Sequence, residues 1–272
     1  MERRRVRLPK PGVPARDRKS KLNFDDVVYG IHVVEEALNA GESLRSIHIA
    51  DERKRDPLLR TIVADAKERN ISVRFEDRAY FAKLPFKTHQ GVIAIAPPFD
   101  YASLHDVMAT RSGGKSLFVL LDHLTDPHNV GAIVRTAECA GADAVILPER
   151  RSAGVNATVR KAAAGAAEHL PIAQVANLND AIRTLKKAGV WVAGAVAGVG
   201  AVPFTEADFD RDIAIVIGAE GEGLAQLVRR ECDYLVSVPM LGKTTSLNAS
   251  VSAGVLLYEV VRQRAAKRHL TS

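Results

Sequence analysis

From residue 117 to residue 264 the chain alternates short, unbroken apolar runs with stretches of helical periodicity, and no other feature constrains the fold as tightly. Leu117–Leu121, Ala144–Leu147, Ala173–Val175, Trp191–Ala193, Ile213–Ile217 and Tyr234–Val238 lack the polar–apolar alternation of a half-exposed strand. Runs of this kind are strands buried on both faces. Between them, residues 130–140 place Val130, Ile133, Val134 and Ala137 on one helical face, Asp180–Lys187 reads as a helix, and Leu247–Arg264 is a long closing helix. Buried strands separated by helices predict an α/β domain built on a parallel sheet.

A smaller unit precedes it. Val33, Val34 and Leu38 share a helical face within residues 30–40, followed by a strand at Ser46–Ala50 and a helix at Pro57–Glu68. Ile71–Phe75 alternates like a strand, and Val92–Ala96 closes the unit. Pro97-Pro98 then interrupts the chain. The predicted organisation is a basic tail over 1–24, a small α/β domain over 25–97, a linker over 98–115 and the parallel-sheet domain over 116–272.

The formal net charge is +6, and its distribution matters more than its size. Residues 1–21 carry nine Lys and Arg against Glu2 and Asp17, a net of +7, which leaves about −1 for the rest. So basic and Pro-rich a tail has little to bury and is expected to be disordered. It suits the phosphates of a nucleic acid, though a solubilising tail has the same composition. No apolar run reaches the roughly 18 residues of a membrane span, and no secretory signal is read at the N-terminus. Two cysteines, Cys139 and Cys232, make neither a metal knuckle nor a disulfide framework, in keeping with a reducing cytoplasm. The eight histidines are scattered without ligand spacing, so no metal site is expected.

Two motifs mislead. Gly242-Lys243-Thr244 imitates the end of a phosphate-binding loop, but the required glycine five residues earlier is Ser237; Gly114-Lys115-Ser116 fails likewise at Ala109. The glycines around 194–200 and 218–223 lie too late in the chain and at the wrong spacing for a dinucleotide fingerprint.

Three other stretches carry chemistry. In Leu121-Asp122-His123-Leu124-Thr125-Asp126-Pro127-His128-Asn129, a strand ends, Asp-Pro turns the chain, and Asn129 is expected to cap the next helix, with Arg135 under two turns inside it. In Ile217-Gly218-Ala219-Glu220-Gly221-Glu222-Gly223, a buried strand opens into a turn where missing side chains let a ligand approach the backbone. In Val238-Pro239-Met240 followed by Ser246-Leu247-Asn248-Ala249-Ser250, small and polar residues crowd a helix start. Each alone is equally a capped helix or a tight turn with a solvated acid.

In their order and separations the three stretches resemble the SPOUT superfamily, and within it the TrmH/SpoU family of RNA ribose 2′-O-methyltransferases. The shared blocks read Asp-Pro-x-Asn-x-Gly-x-x-x-Arg, Ile-Gly-x-Glu-Gly and Pro-Met…Ser-Leu-Asn. Residues 29–38 and His89-Gln90-Gly91-Val92 are similar to the family's small N-terminal substrate-binding domain, and the two-domain layout is nearest the bacterial RlmB type. The resemblance implies a C-terminal trefoil knot, a rare feature, over about 216–253. It implies S-adenosyl-L-methionine as cofactor, held by Ala195, Gly218, Val238, Met240 and Leu247. It further implies a catalytic set of Asn129, Arg135, Glu220, Ser246 and Asn248.

What the set must do is align a poor hydroxyl nucleophile with an activated methyl group and help a proton leave. An arginine is an awkward base because its pKa exceeds about 12, so Arg135 is expected to hold the phosphate beside the target ribose. Glu220 is expected to fix Arg135 or Asn129. A homodimer through the 129–140 and C-terminal helices, and 23S ribosomal RNA methylated at a guanosine, are the implied assembly and substrate. A tRNA substrate or a non-catalytic RNA-binding role in ribosome assembly are the alternatives.

Overall fold

The computed structural model describes residues 24–109, 114–198 and 200–270; nearly all of the basic tail lies outside them. The small domain runs β1 (Val27–Tyr29), α1 (Ile31–Asn39), β2 (Ser46–Ala50), α2 (Pro57–Glu68), β3 (Ser72–Glu76), α3 (Arg78–Ala82) and β4 (Val92–Ile95). The chain continues through α4 (Leu104–Ala109), β5 (Leu117–Asp122), α5 (Pro127–Cys139), β6 (Ala144–Pro148), α6 (Ala157–Ala163) and β7 (Ile172–Val175). It ends with α7 (Leu178–Lys187), β8 (Trp191–Ala195), β9 (Val202–Pro203), β10 (Ile213–Gly218), α8 (Gln226–Glu231), β11 (Tyr234–Ser237) and α9 (Ala249–Leu270).

The small sheet has the order β1-β4-β2-β3, with β4 antiparallel to both neighbours and β2 parallel to β3. The large sheet has the order β7-β6-β5-β10-β8-β11-β9 and is parallel throughout. All six residues of β5 are buried, which is why they read as one unbroken apolar run. Both faces of the sheet are covered. On one, Ile133 and Val134 of α5, Val159 of α6 and Leu257 of α9 pack against Val119 and Ile215. On the other, Val107 of α4, Ile182 of α7 and Val228 of α8 pack against Phe118 and Val216.

Strand order fixes where a ligand can bind. From β5 the chain steps outward through β6 to β7, then returns to build β8 and β10 on the other side of β5. The reversal opens a crevice beyond the carboxyl ends of β5 and β10, the usual ligand position in such sheets.

Some local expectations change. The 98–115 stretch is more than a linker, because α4 lies in it with Val107 buried, and Ala102 bridges to Ala173. Ser103 starts α4 by accepting the Asp106 amide and donating its hydroxyl to the Asp106 carboxylate. The closing helix starts at Ala249, not Leu247, and continues to Leu270.

Candidate active site

β5, β10 and β11 are parallel, so the loops following Asp122, Gly218 and Ser237 leave the same edge of the sheet. The first two are fixed from within. Asp122 is almost fully buried; its Oδ2 accepts the Ala225 amide at 2.7 Å and its Oδ1 meets His123 Nδ1 at 2.5 Å. That carboxylate ties the end of β5 to the far side of the turn after β10. The turn is closed by Ala219 and Gly223, which exchange backbone hydrogen bonds of 3.1 and 2.9 Å, with Gly223 at φ 68°. At Gly218 a Cβ would strike the Gly223 carbonyl and lie 2.6 Å from the Leu224 nitrogen. Those are backbone atoms that cannot swing aside, so the turn requires a glycine there.

The helix after β5 is capped by Asp126, whose carboxylate accepts the His128 amide at 3.0 Å, with Pro127 in the first turn. Asn129 is therefore not the cap, as the sequence suggested, but a buried residue inside the first turn. Aspartate before proline outcompetes it, since proline at the first helical position needs no donor. This frees the Asn129 amide to reach across 91 residues of sequence, donating to Glu220 Oε1 at 2.8 Å. Asn248 Nδ2 donates to the same Glu220 oxygen at 2.6 Å and lies 2.9 Å from Asn129 Oδ1. The other end of Asn248 starts α9, its Oδ1 accepting the Ser250 amide at 2.8 Å. One carboxylate thus joins residues from all three loops.

Beside this hub lies a cleft of about 270 Å³. Ala195, Gly218, Val238, Met240 and Leu247 all line it, as do Glu220 and Ser246. Ile217, Val236, Thr245, Ser252 and Leu256 also line it, none of which the sequence marked as cofactor-binding or catalytic. Ser252 could have been found, since it follows Asn248 by one helical turn. Thr245 directly follows the Gly242-Lys243-Thr244 stretch dismissed as a false phosphate loop.

Arg135 stands apart. It is exposed on α5, does not line the cleft, and makes no ion pair with Glu220. Six residues at 1.5 Å each put it about 9 Å along the helix from Asn129 and on a different face. Of the two partners expected for Glu220, the structure provides Asn129. Cys232 plays no part in the cleft; burial, with Asp233 beside it, pushes its thiol up to about 12. Among the described residues no cluster of His, Cys, Asp or Glu is arranged to hold a metal ion.

Two family models match. One, described as RNA 2'-O ribose methyltransferase substrate binding, covers residues 27–102; the other, SpoU rRNA Methylase family, covers residues 116–258. The chain belongs to the SpoU rRNA methylase family. It is a methyltransferase of RNA in the broad sense that the family's tRNA/rRNA members define.

Similar curated proteins agree. A tRNA/rRNA methyltransferase of Synechocystis sp., slr0955, is 41% identical over 254 residues, covering 92% of this chain and 66% of the relative. This chain thus spans about two thirds of that protein's length. YacO of Bacillus subtilis, named as a TrmH family tRNA/rRNA methyltransferase, is 39% identical over 241 residues, covering 88% of this chain and 96% of YacO. Two solved structures are each 26% identical. AviRb of Streptomyces viridochromogenes, a SpoU methyltransferase in complex with AdoMet, has a TM-score of 0.56 over 88% of this chain and 90% of its own. An AdoMet-bound rRNA methyltransferase of Sinorhizobium meliloti has a TM-score of 0.58 over 87% of each.

Proposed function

We propose that the chain transfers the methyl group of S-adenosylmethionine to a ribose 2′-hydroxyl of RNA, with a guanosine of 23S ribosomal RNA as target. The single observation that carries this is the joining of three strand-end loops by Glu220 beside a cleft of mixed character. The cleft suits the cofactor: Ile217, Val236 and Leu256 offer an apolar wall to an adenine, and Gly218 leaves backbone open to a polar edge. When bound, S-adenosylmethionine supplies a methyl group already activated by a sulfonium. The description of the 27–102 match as a ribose 2'-O methyltransferase substrate-binding domain supports the ribose as acceptor.

The remaining chemistry falls to the chain. Glu220 locks Asn129 and Asn248 so that the substrate edge of the cleft is held before RNA arrives. Ser246, exposed at the rim, meets the incoming ribose. Arg135 holds the phosphate next to the target, its guanidinium fork lowering the cost of charge on the 2′-oxygen. Because Arg135 is exposed and does not line its own cleft, the site is completed in a homodimer through α5 and α9. Exposed Val251 and Tyr258, seven residues apart on α9, support that interface. A trefoil knot over about 216–253, a small domain near 25–97 that selects RNA, and a cytoplasmic location belong to the same proposal. No described helix is long and apolar enough to cross a membrane.

The test is to incubate the protein with tritiated S-adenosylmethionine and total RNA, then map ribose methylation. Label on a 2′-oxygen of 23S RNA is the expected result. Label on a base, or on tRNA alone, contradicts the proposal.

A further inference from the structure

The small domain has a cavity of its own, of about 260 Å³, between α2 and the edge of its sheet. Its floor is apolar: Ile49, Leu59, Val63 and the ring of Phe75. Around the rim stand Arg53, Lys54, Arg60 and Lys67, and no carboxylate lines it. Arg53 is already engaged, paired with Asp56 and donating to the Gln90 carbonyl at 2.5 Å. The other three are exposed, and none is in an ion pair among the described residues.

Some exposed cations elsewhere find acids: Lys161 pairs with Glu36 at 2.5 Å and Arg183 with Glu231 at 2.6 Å. Here α2 also carries Asp65 and Glu68, yet Arg60 and Lys67 pair with neither. Lys54 Nζ instead rests over the Phe75 ring, 4.9 Å from its centroid. An apolar floor with an aromatic ring takes a planar, poorly charged body, and an unpaired cationic rim takes anions close to it. A nucleotide whose base is free of pairing combines the two.

We propose that this cavity receives an unpaired nucleotide of the substrate RNA, its base on Phe75 and Val63, its flanking phosphates on Lys54, Arg60 and Lys67. The inference rests on the chain's acting on RNA, and it names where the small domain grips that RNA. A duplex end cannot fill the cavity, because its bases are stacked and paired. The device therefore favours RNA with an exposed base at a fixed distance from the methylated ribose.

The experiment uses the full chain and three probes: a fluorescein-labelled single-stranded oligoadenylate of twelve nucleotides, a duplex of the same length, and AMP. Anisotropy titrations over a range of salt compare wild type, the Arg60→Gln/Lys67→Gln double variant and Phe75→Leu. For the single strand the double variant should lose affinity by about tenfold, with a log–log salt slope shallower by about 1.4. Phe75→Leu should weaken the single strand by several-fold and leave the duplex unchanged. Unaltered affinity and slope in the double variant would overturn the assignment. So would an equal loss on duplex and single strand in Phe75→Leu, or low-micromolar competition by AMP, which would mark a site for free nucleotides. Cofactor binding by each variant, measured in parallel, should equal wild type, since the cavity lies in the other domain. Methyl transfer to total RNA by the wild-type protein is followed separately. Its failure would strike the methyltransferase proposal, whereas variants that bind normally would strike only this cavity.

Discussion

The cleft of the large domain and the cavity of the small one treat their polar groups in opposite ways. In the large domain the polar side chains at the sheet edge satisfy one another: Asn129, Asn248 and the Ala249 amide all point at one Glu220 oxygen, and Asp122 holds the Ala225 amide. In the small domain Lys54, Arg60 and Lys67 ring an apolar cavity with no acid to meet them. A closed network costs nothing to reorganise when a ligand arrives and so suits a site that must be shaped in advance. Open charges suit a surface whose partner brings the counter-charge, at an affinity that salt will erode. Shape is stored in one domain and attraction in the other.

Substitutions in the large domain should therefore act through geometry, and Gly218→Val is the most severe. Its side chain meets backbone on the far side of the turn, so calorimetry should find no cofactor binding and a stability loss of about 1–3 kcal/mol. Cofactor affinity within threefold of wild type would break the picture of a pre-shaped cleft. Next is Arg135→Ala, for which single-turnover assays should show methyl transfer slower by roughly 10²–10³-fold with cofactor binding unchanged. Near-normal turnover would remove Arg135 from the chemistry.

Glu220 sharpens the comparison because the network, not the charge, is held to matter. Glu220→Ala leaves the buried Asn129 amide without its acceptor and should cost about 1–3 kcal/mol in stability, with activity falling in proportion. Glu220→Gln keeps an oxygen and should recover much of the loss. Equal damage from both would mean that the carboxylate acts by charge.

The smallest effect concerns pH and belongs to the small domain. His48 is buried, with one ring nitrogen 2.8 Å from Glu76 and the other 3.0 Å from the Ser46 hydroxyl. Burial is the main cause that lowers its pKa from the ordinary 6.5, although Glu76 opposes the shift. The neutral ring is thus the form that folding favours. Its contribution to stability is present above about pH 6.5 and is lost as pH falls towards the lowered value. Hydrogen exchange at pH 7.5 and 5.5 should show β2 and β3 loosening while β5 and β10 do not. A matched change in both domains would contradict this.

Much of the large sheet was legible because β5 and β10 are buried on both faces, and a doubly buried strand can only be written as an apolar run. β1 and β9 were not, since three and two residues are too few to carry a period. α4 was hidden by the Pro-Pro break and the glycines around it. At the site, the sequence could name Asn129, Glu220 and Asn248 one by one, each with an ordinary alternative. That one oxygen joins them depends on strand order, because 91 residues separate the first two. The capping role given to Asn129 failed for a local reason, the stronger Asp126-Pro127 start. The exposure of Arg135 follows from helical phase relative to a neighbour, α9, whose position no local pattern encodes.

The central claim is that the cleft beyond β5, β10 and β11 holds the methyl donor. A crystal structure with S-adenosylhomocysteine tests it most directly. The ligand should lie against Gly218, Val238 and Leu247, with its sulfur facing the Glu220 hub. A ligand bound elsewhere, with that cleft closed by side chains, would contradict the account.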